Sequence, residues 1–406
     1  MARILLLNQC FYPDHASTAQ HLTDLALGLR EAGHEVWALS ARRSYDRPEV
    51  LYPASEVWKD IHITRISSLG LGKKSILRRI LDSLSFWCNA ASRLLTVPRP
   101  DLIICLTSPP MVSTLGGLAG VIRRTPLAHW VMDLNPDEAV AAGILRKGSV
   151  PERVLDYLVT WSFKRASLVV ALDRFMEKRL VGKGIDPRAI FTAPPWSHDD
   201  AVRFDPEARM AFRERHGLTG KFVVMYSGNH SPCHPLQTVL EAARTLADES
   251  DIQFVFIGGG GGLPGAKNFV QTHQLRNFQF LPYQPLEAVA GSLSSADLHL
   301  VSMGDPFVGI VHPCKVYNVL RLGIPFLFSG PSDSHLGDLV ARIGDESLGH
   351  GVRHGDVEST VRAIRHCRDA RMALPVSKLQ SLAQDFSAEK LQNELVARIN
   401  VAAGAN

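Results

Sequence analysis

Short, wholly apolar runs alternate with longer amphipathic stretches along nearly the whole chain, and that alternation restricts the fold more than any other feature. RILLLN (3–8) and HEVWALS (34–40) read as buried strands, with a helical pattern over roughly 18–32 between them. DLIICLT (101–107), LAHWVM (127–132) and SLVVAL (167–172) continue the series, with helices over 150–165 and 173–183. The pattern then starts again with FVVMYSG (222–228), IQFVFI (252–257), FQFLPYQP (278–285), ADLHLVSM (296–303) and PFLF (325–328). Apolar strands separated by helices build parallel sheets covered on both faces, which is an α/β fold. At 406 residues the chain exceeds what one core usually supports, so it is read as two such domains. Pro194-Pro195 and the polar run Ser197-His198-Asp199-Asp200 mark the crossing, giving domains 1–200 and 201–384.

Composition removes several function classes. A net charge of +4 suits anionic ligands or a membrane surface but lacks the concentrated basic face that nucleic acid demands. The six cysteines, at 10, 88, 105, 233, 314 and 367, form no CxxC pair and read as reduced thiols. His230, Cys233 and His234 lie close in sequence, but no fourth ligand sits at finger-like spacing, so no metal is expected. Met1 runs straight into the first strand, which leaves no room for a signal peptide. The most apolar window, Leu102 to Ile122, is broken by Thr107-Ser108-Pro109-Pro110 and by glycines, and reads as strand, loop and helix. The expected location is cytoplasmic, either free or peripheral on the inner face of the membrane. Segment 73–95 bears on that choice. Lys73, Lys74, Arg78 and Arg79 accompany Ile76, Leu77, Ile80, Leu84 and Trp87 at helical spacing. A domain helix packing most of those apolar residues inward is one reading, and a basic amphipathic helix on an anionic membrane is the other.

The stretch DPFVGIVHPCKVYNVLRLGIPFLFSGP (305–331) carries the chemistry. A glycine-bearing loop, Gly309-Ile310-Val311-His312, meets Pro313, a residue suited to the first helical position. A short helix, Lys315 to Leu322, follows, burying Val316, Val319, Leu320 and Leu322 and stopped by Gly323. Backbone N–H groups at a helix start have no partner and attract anions, and Lys315 adds a full charge. An ordinary helix with a solvated lysine is the competing reading. Elsewhere, the first loop (Tyr12 to Thr18) and Asp133 to Glu138 fall at strand carboxyl ends, where open α/β sheets bind ligands. Ser17 or Thr18 is expected to cap the following helix, and Asp137 to cap its own. The run GGGGG (258–262) follows a strand, but no acidic residue stands about 20 positions on, which argues against a dinucleotide site.

The triplet Pro313-Cys314-Lys315, with Gly323-Ile324-Pro325 after it, resembles the nucleotide-sugar signature of the GT-B glycosyltransferases of family 4, in the Pro-Ser-Lys variant subgroup that includes polysaccharide and O-antigen sugar transferases. Gly33-His34-Glu35-Val36 and the Asp133-Leu134-Asn135-Pro136-Asp137 run are similar to the family as well, the latter to members that add amino sugars to polyprenyl-linked intermediates. The resemblance implies two Rossmann-like domains facing across a cleft, with a last helix (385–406) crossing back to the first domain. It implies a retaining transfer from a UDP-sugar to a glycan or polyprenyl-linked acceptor in cell-surface polysaccharide synthesis, without a metal or other cofactor. Donor contacts would fall to Gly228, Asn229, His234, Gly259, Leu281, Tyr283, Gly309, Ile310, Val311, Lys315 and Asn318. Acceptor contacts would fall to Tyr12, Ser17, Thr18 and Asp137, with Asp133 and Lys315 catalytic. The chain departs from the family where Ile310 and Asn318 replace a glutamate pair, and where Asn229 and His234 replace an Arg and a Lys. His234 helps a diphosphate only when protonated. The alternatives are a UDP-amino-sugar 2-epimerase-like enzyme and a non-catalytic nucleotide-sugar binder. A nicotinamide oxidoreductase stands last.

Overall fold

The structure, a computed structural model, describes residues 1–45, 47, 49–69, 76–197, 202–370 and 377–404. Lys73, Lys74, the side chains of Ile76, Arg79 and Ile80, and residues 198–201 at the expected domain crossing lie outside the described residues. Two compact units emerge. One comprises Met1–Pro195, Gly309–Val311 and Glu389–Asn406, and the other Trp196–Val308 and His312–Ala388.

The first unit holds β1 (Arg3–Leu7), β2 (Glu35–Ala41), β3 (Ser55–Trp58), β4 (Ile61–Ile66), β5 (Leu102–Cys105), β6 (Leu127–Trp130), β7 (Leu168–Ala171) and β8 (Ile190–Thr192). Their order is β3-β4-β2-β1-β5-β6-β7-β8, parallel except where β3 pairs antiparallel with β4. Strands β5, β6 and β7 are buried at every position, as both-faces-covered parallel strands must be. The chain runs outward from β1 in one direction and from β5 in the other. The crevice between their carboxyl ends is the place where such a sheet takes a ligand. The β3–β4 hairpin is a departure from the sequence reading. Its two-residue turn, Lys59-Asp60, has φ of 47° and 62°, a left-handed pair usually marked by Asn-Gly.

The closing helix, Ala388–Ala402, packs on this unit rather than on the strands that precede it. Leu391, Leu395, Val396 and Ile399 are buried, Gln392 donates to the Asp24 carbonyl, and Asn400 Oδ1 lies 2.7 Å from His34 Nε2. Gly28 leaves room for that glutamine, since a Cβ there would stand 2.5 Å from Gln392 Nε2.

The second unit contains β9 (Phe222–Ser227), β10 (Ile252–Ile257), β11 (Phe278–Leu281), β12 (Leu298–Ser302), β13 (Phe326–Ser329) and β14 (Gly349–Val352), all parallel, in the order β11-β10-β9-β12-β13-β14. The direction reverses between β9 and β12, so the loops after these strands flank a second crevice. Phe222, Phe254, Phe256 and Phe278 fill one face with the helix Gln237–Thr245, while Val223, Met225 and Val255 pack the other. The helix Pro206–Arg215 is fixed to the amino end of β12 by Asp297, which takes Arg209 and Arg213 at 2.6 Å each.

Two helix starts correct the sequence reading. Ser17 is already helical and the N-cap is Ala16, whose carbonyl accepts from the N–H groups of Ala19 and Gln20, so neither Ser17 nor Thr18 caps. The helix Lys315–Leu322 has Cys314 at its N-cap position, with no side-chain cap, which leaves Pro313 before it rather than at its first position.

Candidate functional site

In the second unit, the loops leaving β9, β10 and β11 meet the head of helix Lys315–Leu322. No side chain caps that helix; the Tyr317 N–H donates to the Cys314 carbonyl at 3.1 Å, and the N–H groups before it have no side-chain cap. The Lys315 Nζ is shielded from solvent and makes no hydrogen bond among the described residues. It lies 3.8 Å from the centroid of the Tyr226 ring, and a Cβ on Gly228 would come within 3.3 Å of it. The π face compensates part of the charge's lost hydration. Burial still pushes the Lys315 ammonium down to about 7, against the opposite pull of the Cys314 and Cys233 thiols. A cation held without a counter-ion is poised for an arriving anion. Asn318, one turn further, shares that side of the helix.

The glycines explain how these loops approach. Gly228 and Gly258 have φ of 139° and 126°, and a Cβ on Gly258 would lie 2.2 Å from the Gly228 carbonyl oxygen. Asn229 packs against Gly260, where a Cβ would meet its Oδ1 at 2.3 Å. Tyr283 lays its ring across Gly258 and Gly259, with both hypothetical Cβ atoms 3.2 Å from it, and is otherwise 60% exposed. The Leu281 carbonyl accepts from the Gly258 N–H, which uses that backbone group inside the unit.

His234 is held against the end of β12. Its Nδ1 lies 2.7 Å from the Ser302 carbonyl and donates to it, leaving Nε2 as an acceptor. Burial, with the nearby Lys315 charge, pushes its imidazolium down to about 3. Without a ligand the neutral ring is favoured, and His234 would carry charge only where a diphosphate neighbour raised that pKa. Gly309, Ile310 and Val311 belong to the first unit's packing. The Ile310 carbonyl accepts from the Leu134 N–H, and a Cβ on Gly309 (φ 67°) would run into the Phe175 backbone.

In the first unit, Asp133 follows β6, its N–H donating to Thr107 Oγ1 at 3.3 Å. Burial pushes the Asp133 carboxyl up to about 7, and the Glu138 carboxylate adds to the rise. Tyr12, after β1, stacks on Trp58 at 3.9 Å, while its carbonyl accepts from Arg65. Asp14 holds this loop by accepting from the Tyr52 hydroxyl and the Tyr45 N–H. Ser17 is exposed and Thr18 half-buried. Asp137 is neither a cap nor free for an acceptor. Pro136 is the N-cap, and the Asp137 carboxylate is paired with Lys183 at 2.7 Å, with Arg179 at 4.0 Å. Sequence reasoning missed Tyr226, Glu138 as the second carboxylate beside Asp133, and the Trp58 platform. Only Glu138 left a signal, through its spacing from Asp133.

Two parallel-sheet α/β units, each open at its topological switch point, with the chain's end returning to the first, define the GT-B class. Residues 18–196 match the family model described as a glycosyl transferase 4-like domain. The chain is 27% identical to the putative colanic acid biosynthesis glycosyl transferase WcaI of Escherichia coli (strain K12), over 98% of each chain. It is 23% identical to the probable glycosyltransferase WbjE of Pseudomonas aeruginosa, over 86% of this chain and 84% of that one. Among solved structures it is similar to HepE of Anabaena in complex with UDP-glucose, with a TM-score of 0.72 and 14% identity, covering 99% and 100% of the two chains. WaaG, a glycosyltransferase involved in lipopolysaccharide biosynthesis, gives a TM-score of 0.70 at 14% identity, again over 99% and 100%. The chain thus has the fold of these solved glycosyltransferases, and its residues 18–196 are similar to the glycosyl transferase 4-like domain.

Proposed function

We propose that the protein is a retaining glycosyltransferase that moves a sugar from a UDP-sugar to a glycan or lipid-linked acceptor in the building of a cell-surface polysaccharide. The observation that carries this reading is the buried, uncompensated Lys315 ammonium at the head of an uncapped helix, among glycine turns that admit a ligand's backbone-close approach. The donor diphosphate would supply the missing counter-charge, and Tyr283 on its glycine shelf would offer the base a stacking surface. Names of relatives (WcaI, WbjE) and the UDP complexes of HepE support the class of donor and product.

In this reading the bond from the anomeric carbon to the diphosphate oxygen breaks as a bond to the acceptor oxygen forms on the same face. The acceptor proton passes to the departing phosphate or to Asp133. Lys315 and the helix N–H groups stabilise the charge that builds on the leaving group, so no metal is required. Asp133, with its raised pKa, is suited to orient the acceptor hydroxyl at neutral pH. The test is incubation of the full chain with UDP-sugars and lipid extract, followed by mass analysis of the products. A glycosylated lipid or glycan with released UDP supports the proposal. An epimerised sugar, or UDP binding without turnover, replaces it with the epimerase-like or binding-only alternative.

A further inference from the structure

We propose that the groove between helices Gln237–Thr245 and Leu263–Thr272 of the second unit is a second ligand site, shaped for a small sugar phosphate. The inference goes beyond the transfer reaction and does not depend on it.

The groove holds a cavity of about 620 Å³, a size that small-molecule sites share. Gly228, Gly258, Tyr283 and Lys315 take no part in its lining, so it is separate from the crevice they flank. Both helices start beside it, with Leu236 and Gln237 lining it from one and Gly262 and Gly265 from the other. Neither start has a side-chain cap. The helical ladder begins with the Leu240 N–H on the Leu236 carbonyl and the Ala266 N–H on the Gly262 carbonyl. The N–H groups of Gln237, Thr238, Val239 and Gly265 lie ahead of it. Two helix starts at one place favour a negative group, and no Asp or Glu stands among the described residues that line the cavity to oppose one.

Two further features call for an occupant. His230 lines the cavity, and its carbonyl takes the Gly262 N–H at 2.8 Å beside the second helix start. The residue is 1% exposed, yet its Nε2 has no hydrogen-bond partner among the described residues. Its Nδ1 lies 3.2 Å from the Gly259 carbonyl and donates to it, so Nε2 is left to accept. A buried acceptor of this kind is costly unless a hydroxyl reaches it. The second feature is a pair of glycines that the chain itself does not need. Gly261 and Gly265 have no left-handed φ, and a Cβ on either would meet nothing within 4 Å. Gly265 lies inside the helix, where alanine would be the more stable choice, and both glycines line the cavity and keep it open. Leu240, Ala266 and Phe269 supply apolar walls for the faces of a ring. A phosphate at the amides, a hydroxyl on His230 Nε2 and a ring between those walls together describe a sugar phosphate. Free phosphate satisfies only the first of these contacts, and a free sugar only the other two.

The experiment is calorimetric titration of the full chain with glucose 1-phosphate, with glucose and with inorganic phosphate, each in the absence and presence of excess UDP. The expected result is that glucose 1-phosphate binds roughly tenfold or more tighter than glucose or phosphate, and still binds when UDP is in excess. Gly261→Asp and Gly265→Asp each place a carboxylate in the open space of the cavity and should weaken that binding by roughly tenfold or more. Gly265→Ala, which adds no charge, should keep the parental affinity. Thermal melts report that the variants fold, and Gly265→Asp should melt no lower than the parent, because an acidic group suits a helix start. Absence of glucose 1-phosphate binding, its loss in excess UDP, or phosphate bound as tightly as the ester overturns the proposal. So do Asp variants that keep the parental affinity. Glucose 1-phosphate bound in this way by a chain that gives no response to UDP would leave this inference standing and remove the donor reading instead.

Discussion

The Lys315 Nζ rests 3.8 Å above the Tyr226 ring and has no hydrogen-bond partner among the described residues, although its helix begins at that very residue. An aromatic face is a weak substitute for water around an ammonium. The chain therefore carries a destabilising charge whose use is in binding. Lys315→Met should raise the stability of the unliganded protein, by about 1–4 kcal/mol on the precedent of buried charges replaced by apolar side chains. The same variant should lose its thermal response to UDP. Chemical denaturation with and without nucleotide checks both, and a variant that is less stable yet still binds UDP would contradict the assignment of Lys315.

The pH dependence follows from the same residue. Its folded pKa is about 7, below its unfolded value, so between these two values the unfolded chain binds more protons than the folded one. Stability of the unliganded protein should thus increase as pH rises from 7, unlike that of the Lys315→Met variant. UDP affinity should run the other way. The ammonium form binds the diphosphate, so affinity should be full below pH 7, fall as pH rises through it, and be accompanied by proton uptake near neutrality. Calorimetry in buffers of different ionisation heat measures that uptake directly.

Asp133 adds the opposite limb. Its carboxyl, lifted to about 7 by burial and by Glu138, becomes the charged, proton-accepting form only above that value. Turnover should therefore be bell-shaped around neutral pH. Asp133→Asn should lower kcat by roughly 100-fold or more while leaving UDP affinity near its original value, and it should flatten the acidic limb. Glu138→Gln should move that limb to lower pH, because removing the neighbouring charge eases ionisation of Asp133.

Much of this is legible in the sequence. The helix Lys315–Leu322, its buried face and its Gly323 stop follow from local periodicity and a left-handed C-cap, both encoded within a few residues. The strands β1, β2, β9 and β10 follow from apolar runs that only a doubly covered sheet accepts. What escaped was long-range or locally disguised. Nothing in the sequence places Tyr226 under Lys315, since a strand residue and a distant helix start meet only in the fold. His234 looked available for charge, but in the fold its burial, with the nearby Lys315 charge, disfavours the protonated ring. Asp137 looked like an acceptor ligand until Lys183 closed on it. The β3–β4 turn, Lys59-Asp60, lacks the glycine that usually announces a hairpin.

The anchor that holds the second unit's helix Pro206–Arg215 offers a test of stability apart from function. Asp297 is largely buried and accepts from Arg209, Arg213 and the Val223 N–H, so one carboxylate ties a helix to two strands. Asp297→Ala should cost roughly 3–5 kcal/mol, because it leaves two guanidinium groups in a partly desolvated place without their counter-charge. Urea unfolding should show the loss. At temperatures where the variant is folded, its UDP affinity should match the parent's.

The glycine turn that supports Tyr283 gives the sharpest contrast between neighbouring positions. Gly258 has φ 126° and stands so close to Gly228 that a Cβ would lie 2.2 Å from the latter's carbonyl oxygen. Gly261, three residues on, has open space around its Cβ direction. Gly258→Ala should cost roughly 1–3 kcal/mol for the backbone conformation alone. It should also push apart the loops after β9 and β10, displacing Tyr283 from its shelf and weakening UDP binding. Gly261→Ala should change neither stability nor binding appreciably. Thermal melts and UDP titrations of the pair distinguish a turn that the site requires from a run of glycines that merely happens to be flexible. Equal behaviour of the two variants would mean that the close approach of the loops does not shape the nucleotide site.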